Sequence, residues 1–271
     1  MQPAPIAMMD SGVGGLTVLK TALRTFPQEQ FLFLGDEQHL PYGEKSPTAV
    51  RAYSSAIGSF FVRQQAKLMI VACNTATSVA LASLQNTLPI PVIGVIEPGS
   101  RAAVQATRNH QIGVIATRGT VASHAYRDAI HQLDPTCEVV ELACPKLIPL
   151  VEAGNYQTSI DQKIVRESLA PLLQSKIDTL ILGCTHFPII SSLIQQAVAP
   201  QVRLIDPGIA TIATAQQLLE NENQLEKTGS GSCRFYTTAN PNRFAQVASQ
   251  WLNRKVVAQL IDYQQLQTND K

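Results

Sequence analysis

Short apolar runs alternate with longer helical patterns along almost the whole chain, and that rhythm restricts the fold more than any other feature. Residues 6–9, 31–34, 68–71, 92–95, 112–116, 138–142, 179–182 and 202–205 read as strands. Most are nearly continuous in apolar residues, as strands are when helices cover both sheet faces. Helical stretches fall between them at 15–25, 48–65, 76–85, 120–133, 161–170 and 188–198. Such alternation predicts parallel sheets of the α/β class. A late strand at 235–238 and a helix at about 242–252 follow, with polar 220–232 expected as an exposed loop.

One unit of this pattern occurs twice. Met69-Ile70-Val71-Ala72-Cys73-Asn74-Thr75 and Leu180-Ile181-Leu182-Gly183-Cys184-Thr185-His186 each set a thiol at the end of an apolar run, after a small residue and before polar side chains. The repetition predicts two pseudo-symmetric, doubly wound parallel-sheet domains. A turn near Ile96-Glu97-Pro98-Gly99 is the expected crossing into the second half, and Asp206-Pro207-Gly208 the return. The first domain is then 1–97 plus 208–271 and carries Cys73; the second is 98–207 and carries Cys184. Ligands of open parallel sheets bind beyond the carboxyl ends of the strands. Both thiols are therefore expected in one cleft between the domains.

Composition narrows the function. With Lys+Arg 21 against Asp+Glu 20, the net charge of +1 leaves no electrostatic footprint for nucleic acid. The apolar runs are too short to span a bilayer, and no basic, apolar and small-residue sequence reads as a signal peptide. Five cysteines, odd in number and without a C-x-x-C pair, argue against a disulfide framework and for a reducing, cytoplasmic compartment. Cys184 and His186 are two apart with no second ligand pair at metal spacing, so no metal is expected.

Each candidate motif has a structural reading beside its chemical one. Asp10-Ser11-Gly12-Val13-Gly14-Gly15 follows the first strand and opens a helix, which suits an anion or simply makes a capped tight turn. It lacks G-x-G-x-x-G spacing, so a dinucleotide is not implied. Cys73-Asn74-Thr75 precedes a helix whose N-terminus lowers a thiol's pKa from about 8.5, although a buried cysteine is also ordinary packing. Cys184-Thr185-His186-Phe187-Pro188 adds an imidazole able to hold a proton for the thiol or bind a substrate carboxylate, or is simply a capping Thr beside a satisfied histidine. Pro41-Tyr42-Gly43-Glu44-Lys45-Ser46 is a turn or a substrate-contacting loop. Thr117-Arg118-Gly119-Thr120 is an N-cap or an anion site, and Glu152 a proton helper or a solvated carboxylate. His39, His110, His124 and His131 are expected at the surface or as caps, and Trp251 in the core.

Six segments in order resemble the glutamate racemases of the aspartate/glutamate racemase superfamily. They are Asp10-Ser11-Gly12-Val13-Gly14-Gly15-Leu16-Thr17-Val18, Pro41-Tyr42-Gly43-Glu44-Lys45-Ser46-Pro47, Ala72-Cys73-Asn74-Thr75-Ala76-Thr77, Ala116-Thr117 with Gly119-Thr120, Pro149-Leu150-Val151-Glu152 and Leu182-Gly183-Cys184-Thr185-His186-Phe187-Pro188. The resemblance implies a cofactor-independent racemase of glutamate serving peptidoglycan synthesis, commonly a homodimer. It implies Cys73 and Cys184 as the proton-transferring pair. Asp10, Ser11, Tyr42, Gly43, Asn74, Thr75, Thr185 and His186 are implied as substrate contacts, with Thr117, Thr120 and Glu152 as helpers or further contacts. Glu37-Gln38-His39-Leu40 departs from the family, which more often carries Thr and Arg there, and Met9 stands where an aromatic is usual. An aspartate or hydantoin racemase, a hydrolase using one cysteine and a noncatalytic glutamate binder are the rival expectations.

Overall fold

The computed structural model describes residues 4–154, 156 and 158–267, so 1–3, Asn155, Gln157 and 268–271 of the two expected domains lie outside the described residues. Among the described residues, ten strands form two sheets. The first holds β1 (Ile6–Asp10), β2 (Gln30–Gly35), β3 (Leu68–Val71), β4 (Val92–Gly94), β9 (Ser232–Thr237) and β10 (Ala258–Leu260), in the order β10-β9-β2-β1-β3-β4. The second holds β5 (Gln111–Ala116), β6 (Glu138–Ala143), β7 (Thr179–Gly183) and β8 (Arg203–Ile205), in the order β6-β5-β7-β8. Every pairing is parallel. This is the doubly wound α/β architecture that the alternating pattern predicts.

Side-chain alternation explains why helices cover both faces. Along β1, Ile6 and Met8 enter one core while Ala7 and Met9 enter the core on the opposite face. In the second sheet, Leu180 and Leu182 of β7 point to one side and Ile181 to the other. A period of two with apolar residues on both sides leaves neither face for water. Asp10 ends β1 fully buried, a costly place for a carboxylate unless its environment uses it.

The structure corrects several local expectations. The sequence Ile96-Glu97-Pro98-Gly99 is not a turn but the first turn of the helix Ile96–Ala106, where proline is tolerated because its N–H would be unpaired anyway. Gly99 lets that helix touch the return segment: a Cβ there would sit 2.8 Å from Cβ of Pro207. The return segment is itself the helix Pro207–Asn221, whose Ile212, Ala215 and Leu219 enter the core of the first sheet. The stretch 120–133 divides into Arg118–Ala122 and Ala125–Leu133, with His124 between them at φ 54°. The stretch 188–198 divides into a 3₁₀ turn, Phe187–Ile190, and the helix Ser191–Ala197. The short edge strand β10 carried no recognisable pattern. Among the described residues, no helix is long and apolar enough to cross a membrane.

Phe33 is the aromatic centre of the first core, fully buried and tilted against Phe235 and Phe244 at centroid distances of 6.4 and 6.1 Å. Phe33→Ala removes those contacts and leaves a cavity, so urea unfolding is expected to show a loss of about 3–5 kcal/mol. A loss below about 1 kcal/mol would mean that this layer does not carry the sheet.

Candidate active site

The two cysteine loops meet at one cavity. Ser11, Leu40, Tyr42, Gly43, Cys73, Asn74, Thr75 and Thr117 line it together with Ile148, Cys184, Thr185 and His186. A larger hollow lies beside Phe60, Arg63, Tyr236 and Leu260, but its lining holds no thiol, carboxylate or imidazole. The smaller cavity is the one with chemistry. Cys73 leaves the end of β3 as the N-cap of the helix Asn74–Thr87, its Sγ accepting the Ala76 N–H at 3.5 Å. Cys184 directly follows β7, just ahead of the 3₁₀ turn Phe187–Ile190, and caps no helix. Both sulfurs are buried.

Hydrogen bonds cross from one sheet's loops to the other's. Thr75 Oγ1 lies 2.9 Å from Thr117 Oγ1 and 3.1 Å from Thr120 Oγ1, and these two are 3.0 Å apart, a closed triangle of hydroxyls. Thr17 donates to the Thr185 carbonyl at 3.1 Å, and Thr185 donates to Asp10 Oδ1 at 3.4 Å. The backbones come close because glycines allow it. A Cβ at Gly14 would overlap Thr185 Oγ1 and His186 Nδ1, and one at Gly43 would sit 2.7 Å from Thr117 Cβ.

Charge around the thiols is shaped mainly by burial. Desolvation and the neighbouring Asp10 push the Cys73 thiol up to about 12, against the opposing Ala76 N–H and Ser11. The helix N-terminus therefore does not win, contrary to the expectation from sequence; removing a thiolate from water outweighs the dipole here. Burial also raises Asp10 above the usual carboxylate range, opposed by His186, by the Gly15 and Gly12 N–H groups and by Thr185. For His186, burial works downward. The Cys184 sulfur, Glu152 and Asp10 outweigh it and push the imidazole up to about 10. Its Nδ1 lies 3.8 Å from Cys184 Sγ. Its Nε2 lies 3.4 Å from Glu152 Oε1, an ion-pair distance without hydrogen-bond alignment. Glu152 is lowered chiefly by His186, despite its own partial burial.

Other implied residues have more indirect places. The Tyr42 hydroxyl donates to Asp36 Oδ2 at 2.5 Å, so the ring and backbone, not the hydroxyl, are what Tyr42 offers the cavity. Asp36 is buried and also accepts from Thr238 at 2.7 Å, with His39 Nδ1 at 2.9 Å. His39 is thus no surface group: it stacks on Tyr53 at 3.8 Å and braces the loop before Tyr42. Trp251 is only partly buried, edge-on to His186 at 6.2 Å. Sequence reasoning missed Leu40 and Ile148 in the lining, as well as Tyr126, which donates to Asn74 Oδ1 at 2.6 Å. His110, Asp134 and Cys137 place possible metal-ligand atoms within 4.8 Å of one another, but before β5 and β6, at the opposite end of the sheet from Cys184.

Comparison with known proteins places this arrangement among relatives. The sequence model of the Asp/Glu/hydantoin racemase family matches residues 10–215. A glutamate racemase of Levilactobacillus brevis is 49% identical over 258 residues, covering 94% of this chain and 93% of its own. The crystal structure of a glutamate racemase isoform from Bacillus anthracis superimposes with a TM-score of 0.94 at 37% identity, over 97% of this chain and 98% of that one. One from Francisella tularensis, solved in complex with D-glutamate, gives 0.90 at 32% identity over 97% and 99%.

The His186 environment has a consequence for stability. Its folded pKa lies above the unfolded value, so it contributes stability that is complete below about pH 6.5 and lost as pH rises towards 10. Urea midpoints should therefore fall across that window, and His186→Gln should flatten the fall. A variant with the same slope as wild type would show that another group is responsible.

Proposed function

The chain belongs to the Asp/Glu/hydantoin racemase family and is a racemase, and from that premise we propose that it interconverts L- and D-glutamate by a proton transfer between Cys184 and Cys73. The observation that carries this reading is the single cavity lined by both thiols, one from each sheet. Toward L-glutamate, the Cys184 thiolate takes the α-proton: the C–H bond breaks, an S–H bond forms, and the electron pair stays on the α-carbon as an enolate-like carbanion. Cys73, held as a thiol by burial and Asp10, then gives its proton to the opposite face. For D-glutamate the roles reverse, starting from the exchanged protonation states.

The surrounding groups fit those needs. A His186 cation 3.8 Å from the Cys184 sulfur stabilises negative charge there, and Glu152 behind it keeps the imidazole charged. Asp10 stands beside Cys73 as its proton partner. Ser11, Asn74, Thr75, Thr117 and Thr185 supply donors for the two carboxylates and for charge developing on the α-carboxylate, with Gly43 giving backbone access and Thr120 holding Thr75 and Thr117.

The choice of glutamate over aspartate or a hydantoin is supported by the name carried by relatives at 49% and 45% identity. A hydrolase would use one thiol and give the second no work. We further propose a cytoplasmic homodimer that provides D-glutamate for peptidoglycan, a reading supported by the resemblance in sequence.

Cys73→Ala and Cys184→Ala should each lower racemisation in both directions by about 10³-fold or more, measured by circular dichroism of glutamate. Near wild-type turnover in either variant would rule out the two-thiol scheme.

A further inference from the structure

Tyr126 is fully buried in the helix Ala125–Leu133, in the core of the second sheet, yet its hydroxyl leaves that core. It donates at 2.6 Å to Oδ1 of Asn74, the residue after Cys73. Its ring lies under the other cysteine loop: a Cβ on Gly183, the residue before Cys184, would be 3.1 Å from Tyr126 Cε2. One side chain therefore touches the neighbours of both thiols. An amide has one acceptor oxygen and two N–H donors. With Oδ1 committed to Tyr126, what Asn74 presents to the cavity it lines is its NH₂ group.

We propose that Tyr126 is a positioning residue for substrate: from the second domain it fixes the Asn74 amide so that the NH₂ donates to a glutamate carboxylate, and it keys the two cysteine loops together. This rests on the reading that the cavity binds glutamate. Without the phenol, the Asn74 amide can turn over and offer its oxygen, which repels a carboxylate. Burial, then Asp206 and Cys184, hold the Tyr126 phenol well above its usual range, so it stays a donor throughout the working pH. The contact acts on bound substrate before and during proton transfer alike, so its loss falls on KM more than on kcat.

The test is steady-state kinetics in both directions. Tyr126→Phe keeps the ring under Gly183 and removes only the hydroxyl; KM for both enantiomers is expected to rise about tenfold, with kcat changed by about twofold or less. Asn74→Asp keeps an acceptor for Tyr126 but loses the NH₂, and should raise KM at least as far. In a cycle with Asn74→Ala, the two losses in kcat/KM should not multiply, because Tyr126 acts through Asn74. Wild-type KM in Tyr126→Phe or in Asn74→Asp, or losses that multiply, would overturn the assignment. Wild-type enzyme that fails to racemise glutamate would instead refute the underlying reading, so the two failures are distinguishable.

Discussion

Hydrogen bonds that join the carboxyl ends of two separate parallel sheets are what the site depends on. Each sheet alone delivers one thiol at the end of a buried strand, with a helix or 3₁₀ turn beginning just after it. Neither half could act on two faces of one carbon. The threonine triangle of Thr75, Thr117 and Thr120, the Thr17 and Thr185 contacts and the Tyr126–Asn74 bond bring the halves together. Several residues that make these bonds also line the cavity. Closing the seam and assembling the site are thus one physical event, and glycines at 14 and 43 are required because any larger residue would hold the loops apart.

Electrostatics then makes the pseudo-symmetric halves unequal. Cys73 faces a buried carboxyl and is kept a thiol; Cys184 faces an imidazole that Glu152 helps to keep charged. In the proposed scheme the Cys73 thiol is the acid for one enantiomer, and the charged imidazole is placed to favour negative charge on the Cys184 sulfur. In that scheme the other enantiomer needs the complementary state, which the first reaction leaves behind. Burial is the common cause: the same desolvation that raises Cys73 and Asp10 strengthens every charge pair around them.

Much of this was legible in the chain because strand signals and site residues are contiguous. Strands such as 68–71 and 179–182 are nearly continuous apolar runs ending one small residue before the cysteines, so their positions and their direction toward the cleft could be read directly. What could not be read depends on contacts between distant segments. Tyr126 looks like one more core aromatic in a helical pattern, and only the fold brings it to Asn74, 52 positions earlier. Asp36 gains its roles through Thr238, 202 positions away. Pro98 and Gly99 read as a turn because their helix is justified by a partner, Pro207, that sequence proximity does not reveal. The elevated Cys73 thiol was missed for the same reason: a helix N-terminus is visible in a sequence, whereas its desolvation is not.

The central claim is that two different sulfurs work on opposite faces of one carbon. Solvent deuterium tests it most directly. In the first few per cent of conversion in D₂O, a two-thiol enzyme places one deuterium at Cα of nearly every product molecule while unreacted glutamate keeps its hydrogen. Product that retains the substrate's own hydrogen, or equal labelling of substrate and product from the outset, would point to a single base and contradict the account.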